Sequence, residues 1–186
     1  MRRPALLAAV LVAAAALAPL GAAARTTRVT TNAELTAAVA AAGPGDTIQL
    51  APGAYAPVAM IGRGGPGADL TIAGDTGAEI AGMTITGSPR IVVSNLGLAP
   101  AATGASIHVT TSSTVTFRGL QLDGGAGGAG ASIDLSATAT GVVIIDSTFL
   151  HCSSPFCIRT MSPDVVIQHN TFDDLDDSDA VHGFGG

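Results

Sequence analysis

The feature that most constrains this chain is a recurring pair of apolar residues two positions apart. Residues at that spacing face the same side of a β-strand. Successive pairs follow at steps of 22, 21, 24, 27 and 23 residues. The pairs are Ile48/Leu50, Leu70/Ile72, Ile91/Val93, Val115/Phe117, Val142/Ile144 and Val165/Ile167. One such unit cannot bury its apolar face alone, so the pattern predicts a solenoid of stacked coils.

A second apolar column follows the first within the later coils. It stands five positions beyond the second member of a pair, at Leu98, Leu122, Phe149 and Phe172. Between the two columns lie residues that tolerate a left-handed backbone, namely Asn95, Gly119, Asp146 and Asn170. Each coil is therefore predicted to hold two strands joined by a tight turn, and five to six coils are expected.

A third set of segments carries the candidate chemistry. GMTIT, SIHVT, SIDLS, CIRTM and AVHGF align at steps of 24, 26, 25 and 23 residues. This alignment points Met83, Ile107, Ile133, Ile158 and Val181 inward, and alternation points Thr84, His108, Asp134, Arg159 and His182 outward. In parallel strands about 4.8 Å apart, the four ionisable residues form a column, which we call the ladder. The other interpretation is a solvated exterior in which mixed charges avoid like-charge stacking.

Residues 1–24 have the three parts of a secretory signal peptide. Arg2 and Arg3 form the positive region, residues 5–20 the apolar region, and residues 22–24 an A-x-A cleavage site. The apolar run is too short and too rich in alanine for a membrane anchor. We therefore expect a secreted or periplasmic protein with no membrane segment after cleavage.

Residues 25–45 are predicted to cap the solenoid with one short helix. Thr31 and Glu34 form a capping box, Leu35, Ala38, Val39 and Ala42 share one helical face, and Gly43-Pro44 stops the helix. A helix in this place covers the open end of the stacked strands, which would otherwise promote aggregation. Residues 46–186 are then the coils. They end in a bare strand, so we expect the chain to be the N-terminal piece of a longer protein.

The charge of the chain excludes one class of partner. Without Arg2 and Arg3, six Arg face 14 acidic residues, and the sequence contains no Lys. Nothing resembles a basic stripe that would neutralise phosphates, so nucleic-acid binding is not expected. A polyanionic substrate would need a local reversal of this field by Arg or by a bound cation.

Two further groups of residues stand out near the C-terminal end. Cys152 and Cys157 are the only cysteines, and in an exported protein we expect them to form a disulfide. Asp176, Asp177 and Asp179 belong to a dense acidic run that also includes Asp173 and Asp174. These carboxylates could bind Ca²⁺, act as an acid and base pair in glycoside hydrolysis, or form a solvated turn.

The stretches AGPGDTIQLAPGAY, IVVSNLGL and VVIQHNTF resemble the pectate-lyase-like right-handed parallel β-helices. The opening is most similar to the branch that contains alginate lyases and chondroitinase B. The resemblance covers residues 30–186 and implies an all-β right-handed parallel β-helix with an N-terminal capping helix. It also implies that the ladder lies on the sheet that usually floors the polysaccharide groove. Lyases of that branch generally use a Lys and Arg pair, and this chain supplies Arg but no Lys.

The functional expectation is a polysaccharide lyase that acts on a uronate-containing glycan by β-elimination. That reaction needs a cation near the uronate carboxylate, a base and an acid. Arg159 is the candidate clamp, His108 or His182 the candidate base, and Asp134 the residue that orients them. The alternatives are a non-catalytic secreted β-helix that binds glycans or builds a surface layer, and an inverting glycoside hydrolase with paired Asp. Because the groove is incomplete, we expect these 186 residues alone to be inactive.

Overall fold

The computed structural model describes residues 23–99, 105–124, 132–152, 156–173, 175 and 179–183. Residues 1–22, which hold nearly all of the predicted signal peptide, lie outside this part, so that segment stays a prediction. Within it the chain winds into about six turns of an all-β, right-handed parallel solenoid with a single short helix. Every pairing between neighbouring strands is parallel, as the sequence predicts.

Each turn contributes one strand to each of three sheets. Sheet A contains Thr26–Val29, Thr47–Leu50, Leu70–Gly74, Ile91–Ser94, Val115–Arg118, Val142–Ile145 and Val165–Gln168. Sheet B contains Gly53–Tyr55, Ala78–Ile80, Gly97–Leu98, Gln121–Asp123, Thr148–Leu150 and Thr171–Asp173. Sheet C contains Val58–Ile61, Met83–Thr86, Ile107–Thr110, Ile133–Leu135, Phe156–Thr160 and Asp179–Gly183.

The predicted register is confirmed in sheet A from the strand Leu70–Gly74 onward. Val93, Phe117, Ile144 and Ile167 stand opposite one another in successive strands. The first predicted step is wrong, because Ile48 pairs with Ile72, two residues beyond the Leu70 of the alignment. A shift of two keeps the same side chains inward, so alternation alone cannot detect it.

Gly74 explains the position of that first strand. It stands opposite Leu50, in an inward position. A Cβ atom there would lie 2.4 Å from a methyl carbon of Leu96, so the next coil needs this position without a side chain. The sequence alignment used only large apolar residues and therefore passed over this glycine.

The tight turns between sheets A and B hold left-handed residues, as predicted, in three coils. The φ angles are 54° at Asn95, 61° at Gly119 and 52° at Asp146. In the following coil the left-handed residue is His169, with φ 54°, and not the predicted Asn170. The Asn170 amide instead accepts a hydrogen bond from Ser147 N (2.8 Å) and donates one to Ile144 O (2.9 Å). It thus satisfies backbone groups of the preceding coil. His169 stands two residues after Ile167, as Asp146 stands two after Ile144, so the turn keeps its place in the register and the prediction was one residue too far along the chain.

One continuous apolar core fills the solenoid. Phe117, Phe149, Ile144 and Ile158 are completely buried. The ring of Phe149 stacks on that of Phe172, with 4.9 Å between the ring centroids. Val181, which the sequence places inward, is 41% exposed because it lies on the last described strand of sheet C, with no further described strand beyond it.

The N-terminal end is capped by the helix Asn32–Ala41. Thr31 is its N-cap and forms the predicted capping box with Glu34. Leu35, Ala38 and Val39 are buried in the core, as predicted. The sequence missed the strand Thr26–Val29, which adds to the edge of sheet A before the helix begins. Within the described part of the chain, no helix combines the length and the apolar character needed to cross a membrane.

Candidate functional site

The ladder forms on sheet C in the predicted register. His108 stands opposite Asp134, Asp134 opposite Arg159, and Arg159 opposite His182 in four successive strands. Thr84 stands opposite His108 on the other side. The turn at Asn95 joins sheets A and B, so the ladder lies on the remaining sheet, as the resemblance implies.

Asp134 is the centre of the ladder, and both of its carboxylate oxygens are engaged. Arg159 Nε donates to Oδ1 at 2.9 Å and Arg159 Nη2 to Oδ2 at 2.5 Å. His108 Nδ1 lies 3.1 Å from the same Oδ2. The Asp134 side chain is 7% exposed, while those of His108 and Arg159 are 43% and 44% exposed. A buried carboxylate thus ties together two side chains that reach the solvent.

These contacts keep Asp134 ionised. Burial acts to raise the pKa of Asp134, but the hydrogen bonds and charge of Arg159, followed by those of His108, outweigh it and lower the pKa below its ordinary value. The hydrogen bonds to Asp134 in turn raise the pKa of Arg159. The pair is therefore a carboxylate and a guanidinium at neutral pH, held in the fork geometry that suits Arg.

The ionised carboxylate decides which ring nitrogen of His108 carries a proton. A carboxylate only accepts hydrogen bonds, so His108 Nδ1 must donate to Asp134 Oδ2. In the neutral ring, Nε2 is then the acceptor. Asp134 therefore presents His108 in the tautomer that a general base requires.

Arg159 keeps donors for a further acceptor. A guanidinium has five N–H groups, and two of them bond Asp134. Three remain on a side chain that is nearly half exposed. Such a group can bind the carboxylate of a ligand, although its own charge is already balanced by Asp134.

His182 lies on the other side of Arg159. Its ring stacks on Phe156, with 4.1 Å between the ring centroids and 24° between the planes. Phe156 is a member of this site that the sequence reasoning missed. The signal for it was its position at the start of the Arg159 strand, directly before Cys157.

Cys152 and Cys157 form a disulfide, with 5.3 Å between their Cα atoms. The bridge closes the segment that leads into the strand Phe156–Thr160 and so restrains the start of the strand that carries Arg159. Both cysteines are buried and belong to the core.

The predicted calcium ligands fall almost entirely outside the described part of the chain. Asp176 and Asp177 lie outside the described residues, and Asp179 is described only as the first residue of the last strand of sheet C. Among the described residues, no group of three or more His, Cys, Asp or Glu could hold a metal ion. The calcium site stays a prediction from the sequence.

Among the described residues, the ladder lies on the outer face of sheet C. A cavity of about 320 Å³ lies beside the helix, lined by Leu35, Val58 and Arg63 among others. Another, of about 600 Å³, lies along sheets A and B near Asn95 and Gln121. No ladder residue lines either one.

The Asp134→Asn variant should reveal how much the ladder stabilises the fold. We expect the free energy of unfolding to fall by about 2 kcal/mol at neutral pH, because charge-assisted hydrogen bonds are lost. The folded pKa of Asp134 is lowered, so this contribution is complete above the unfolded pKa of about 3.9 and is lost as the pH falls through the folded pKa. Urea unfolding of both proteins over a pH series measures it. A difference that persists undiminished in acid would contradict the ion-pair explanation.

Comparison with known proteins supports the fold. The structure is similar to a PL6 family polysaccharide lyase from Pseudopedobacter saltans, with 14% identity, a TM-score of 0.53, and coverage of 84% of this chain and 51% of that one. It also matches a variant of the PL6 family alginate lyase AlyGC (18% identity, TM-score 0.48, 72% of this chain and 21% of that one). An alginate lyase from Paenibacillus sp. strain FPU-7 matches at 17% identity and a TM-score of 0.38, over 82% of this chain and 77% of that one.

No protein-family model matches the chain, and no curated protein matches it in sequence. The chain spans about half of the length of the Pseudopedobacter saltans lyase. At this level of identity the likeness concerns the fold. The chain has a right-handed parallel β-helix fold, and that fold is similar to the structure of the PL6 polysaccharide lyase from Pseudopedobacter saltans.

Proposed function

We propose that sheet C floors a polysaccharide groove and that the protein is a lyase that cleaves a uronate-containing glycan by β-elimination. One observation carries this proposal: His108, Asp134 and Arg159 are joined by hydrogen bonds on three consecutive coils of an exposed sheet. The arrangement places a base and a carboxylate-binding group side by side. The fold that carries these residues is similar to that of a PL6 polysaccharide lyase.

The spacing of the two groups suits the substrate. His108 Nδ1 and Arg159 Nη2 both lie within 3.1 Å of the same oxygen of Asp134. In a uronate the carboxylate is bonded directly to C5, so its anion-binding group and the base that takes the C5 proton must be neighbours. Arg159 and His108 meet this requirement although they belong to strands two coils apart.

In the proposed reaction, the remaining N–H groups of Arg159 bind the uronate carboxylate and stabilise the charge that develops when C5 loses its proton. His108 Nε2 takes that proton. The electron pair forms the C4–C5 double bond, and the C4–O bond to the leaving sugar breaks. His182, beside Arg159, protonates the leaving oxygen, and Asp134 stabilises the positive charge on His108.

The geometry gives less support to glycoside hydrolysis at the ladder. An inverting hydrolase needs one carboxyl group that is protonated and a second that is ionised. Among the described ladder residues the one carboxyl group is Asp134, and its pKa is lowered. A carboxylate held by Arg159 is a poor proton donor. The Asp run at the C-terminal end, whose side chains beyond Asp173 are not described, is the place where a hydrolytic pair would have to lie.

Calcium would complete the charge balance of the lyase. Asp134 and Arg159 cancel each other, so with a neutral His108 these three residues carry no net positive charge. A polyuronate approaching an acidic protein would then be attracted only by directed hydrogen bonds. We propose that Ca²⁺ held by Asp176, Asp177 and Asp179 supplies the missing charge, as the density of carboxylates in that run suggests.

The test incubates the polypeptide expressed from the gene with alginate, pectin and chondroitin, and the unsaturated uronate ends are measured by their absorbance. We expect unsaturated ends to be released from one of these glycans. The matched control is the same glycan with its carboxylates reduced to alcohols, because elimination requires the acidified C5 proton. Saturated products, or equal cleavage of the reduced glycan, would contradict β-elimination and indicate that the protein is a hydrolase.

A further inference from the structure

Among the described residues, Arg25 makes the first hydrogen bond to the solenoid, and it directly follows the predicted cleavage site. Its carbonyl oxygen accepts a hydrogen bond from Thr47 N at 2.8 Å, and this bond begins the pairing of the strand Thr26–Val29 with sheet A. Ala23 and Ala24, on the other side of the predicted scissile bond, are exposed. Within the described part of the chain, the pairing of the first strand therefore begins at the residue that cleavage would make the first.

The backbone nitrogen of Arg25 points at a carboxylate. It donates to Asp46 Oδ1 at 3.1 Å, and Arg25 Nε donates to Asp46 Oδ2 at 3.1 Å. Gly43 N also donates to Oδ2, at 3.0 Å. The Asp46 side chain is only 12% exposed. Three hydrogen bonds thus hold this carboxylate in place, and its Oδ1 atom accepts from the Arg25 nitrogen, which peptide-bond cleavage would convert into an amine.

We propose that export processing cuts the Ala24–Arg25 bond and that the α-ammonium group so created on Arg25 is bound by Asp46. In the cut, a signal peptidase adds water across the amide bond. Ala24 leaves as a carboxylate, and the Arg25 nitrogen is protonated to an ammonium group. One neutral N–H donor is thereby replaced by a cation with three donors at the same place. The new ion pair would strengthen the attachment of the first strand to the solenoid. The same residue also bonds the C-terminal end of the helix, through Arg25 Nη2 and Ala41 O.

The other charged groups around this place already have partners. Arg28 pairs with Asp75 at 2.7 Å, and Glu34 is held by the backbone of Thr30 and Thr31. The Arg25 guanidinium binds Asp46 itself and opposes the ammonium charge in part. Asp46 is the carboxylate that accepts a hydrogen bond from the Arg25 nitrogen, so it is expected to determine the pKa of the new α-amino group.

The absence of Lys from the sequence makes this proposal directly measurable. After cleavage the α-amine is the single primary amine of the protein. The full sequence, Met1–Gly186, is expressed with export, and the product is examined by intact mass and N-terminal sequencing. We expect Arg25 as the first residue. Any other first residue, or retention of the leader, would overturn the proposal.

The ammonium–Asp46 contact is tested by labelling the product with an amine-reactive ester over a pH series. Near neutral pH we expect the wild type to react about fivefold or more slowly than the Asp46→Asn variant, because the carboxylate favours the unreactive ammonium form. Asp75→Asn is the control, since it removes a carboxylate from the same end that binds Arg28, and it should react like the wild type. Equal rates in the wild type and in Asp46→Asn would overturn the contact.

If Asp46→Asn does not fold, the wild type supplies its own comparison. The pH of half-maximal labelling is measured for the folded protein and for the protein unfolded in urea. A higher value in the folded protein supports the contact with Asp46. An unchanged or lower value overturns it, because burial without a carboxylate partner lowers the pKa of an amine.

Discussion

Replacing Arg159 by alanine is expected to lower kcat/KM of the protein on its uronate glycan at least tenfold, equivalent to about 1.4 kcal/mol in the barrier. The variant loses the three N–H groups that remain free of Asp134 to bind the substrate carboxylate. It also leaves the Asp134 carboxylate buried without its main partner. The measurement is the initial rate of formation of unsaturated ends over a range of substrate concentrations.

A purely structural role of Arg159 must be separated from a role in catalysis. Arg159→Lys keeps a positive charge beside Asp134 and loses the planar fork, so it should recover stability more fully than activity. Urea unfolding of the wild type and both variants supplies the stability scale. Activity losses that follow the stability losses in parallel would assign Arg159 to the fold alone.

His182→Ala should also lose at least tenfold in activity, because His182 lies next to Arg159 and is the proposed acid. The matched control is Arg118→Ala. Arg118 is an exposed arginine on sheet A, paired with Ser94 and Ile145, and its removal should leave the rate unchanged. Full activity in both Arg159→Ala and His182→Ala would show that the ladder has no catalytic role and is only a solvated exterior. The protein would then be assigned a binding or structural role.

The ladder register was predictable because a solenoid converts one-dimensional spacing into contacts. Once Ile107, Ile133 and Ile158 are aligned as inward residues, the residue after each must face outward on a neighbouring strand. No knowledge of the remaining fold is needed for this step. The same logic failed for Ile48, because two registers that differ by two residues bury the same face and only the glycine at position 74 distinguishes them.

The chemistry of the ladder was less predictable than its position. Sequence spacing places Asp134 between His108 and Arg159, but it does not show that Asp134 is buried while both neighbours reach the solvent. That difference arises from the rotamers and from packing between coils. The buried Asp134 carboxylate binds His108 Nδ1, and Nε2 of the half-exposed ring is therefore the nitrogen that is left to act as a base.

The turn at His169 shows a similar limit. Asn is the residue type that most readily adopts a left-handed backbone after Gly, so Asn170 was the natural choice from sequence. The structure uses the Asn170 amide to bind backbone groups of the neighbouring coil, and His169 takes the left-handed conformation. The register of the strands, in which His169 is the counterpart of Asp146, predicts the left-handed residue better than residue type does.

Replacing Phe149 by alanine is expected to lower the free energy of unfolding by about 3–5 kcal/mol. Phe149 is fully buried, stands opposite Leu122 of the preceding coil and stacks on Phe172 of the following one. Since each coil of a solenoid is stabilised by its neighbours, the cavity would weaken both adjoining interfaces at once. Urea unfolding, followed by far-UV circular dichroism, measures the change. Val166→Thr, at a 39% exposed position of sheet A, should change stability by no more than about 0.5 kcal/mol. A loss below about 1 kcal/mol in Phe149→Ala would contradict a continuous core through this coil.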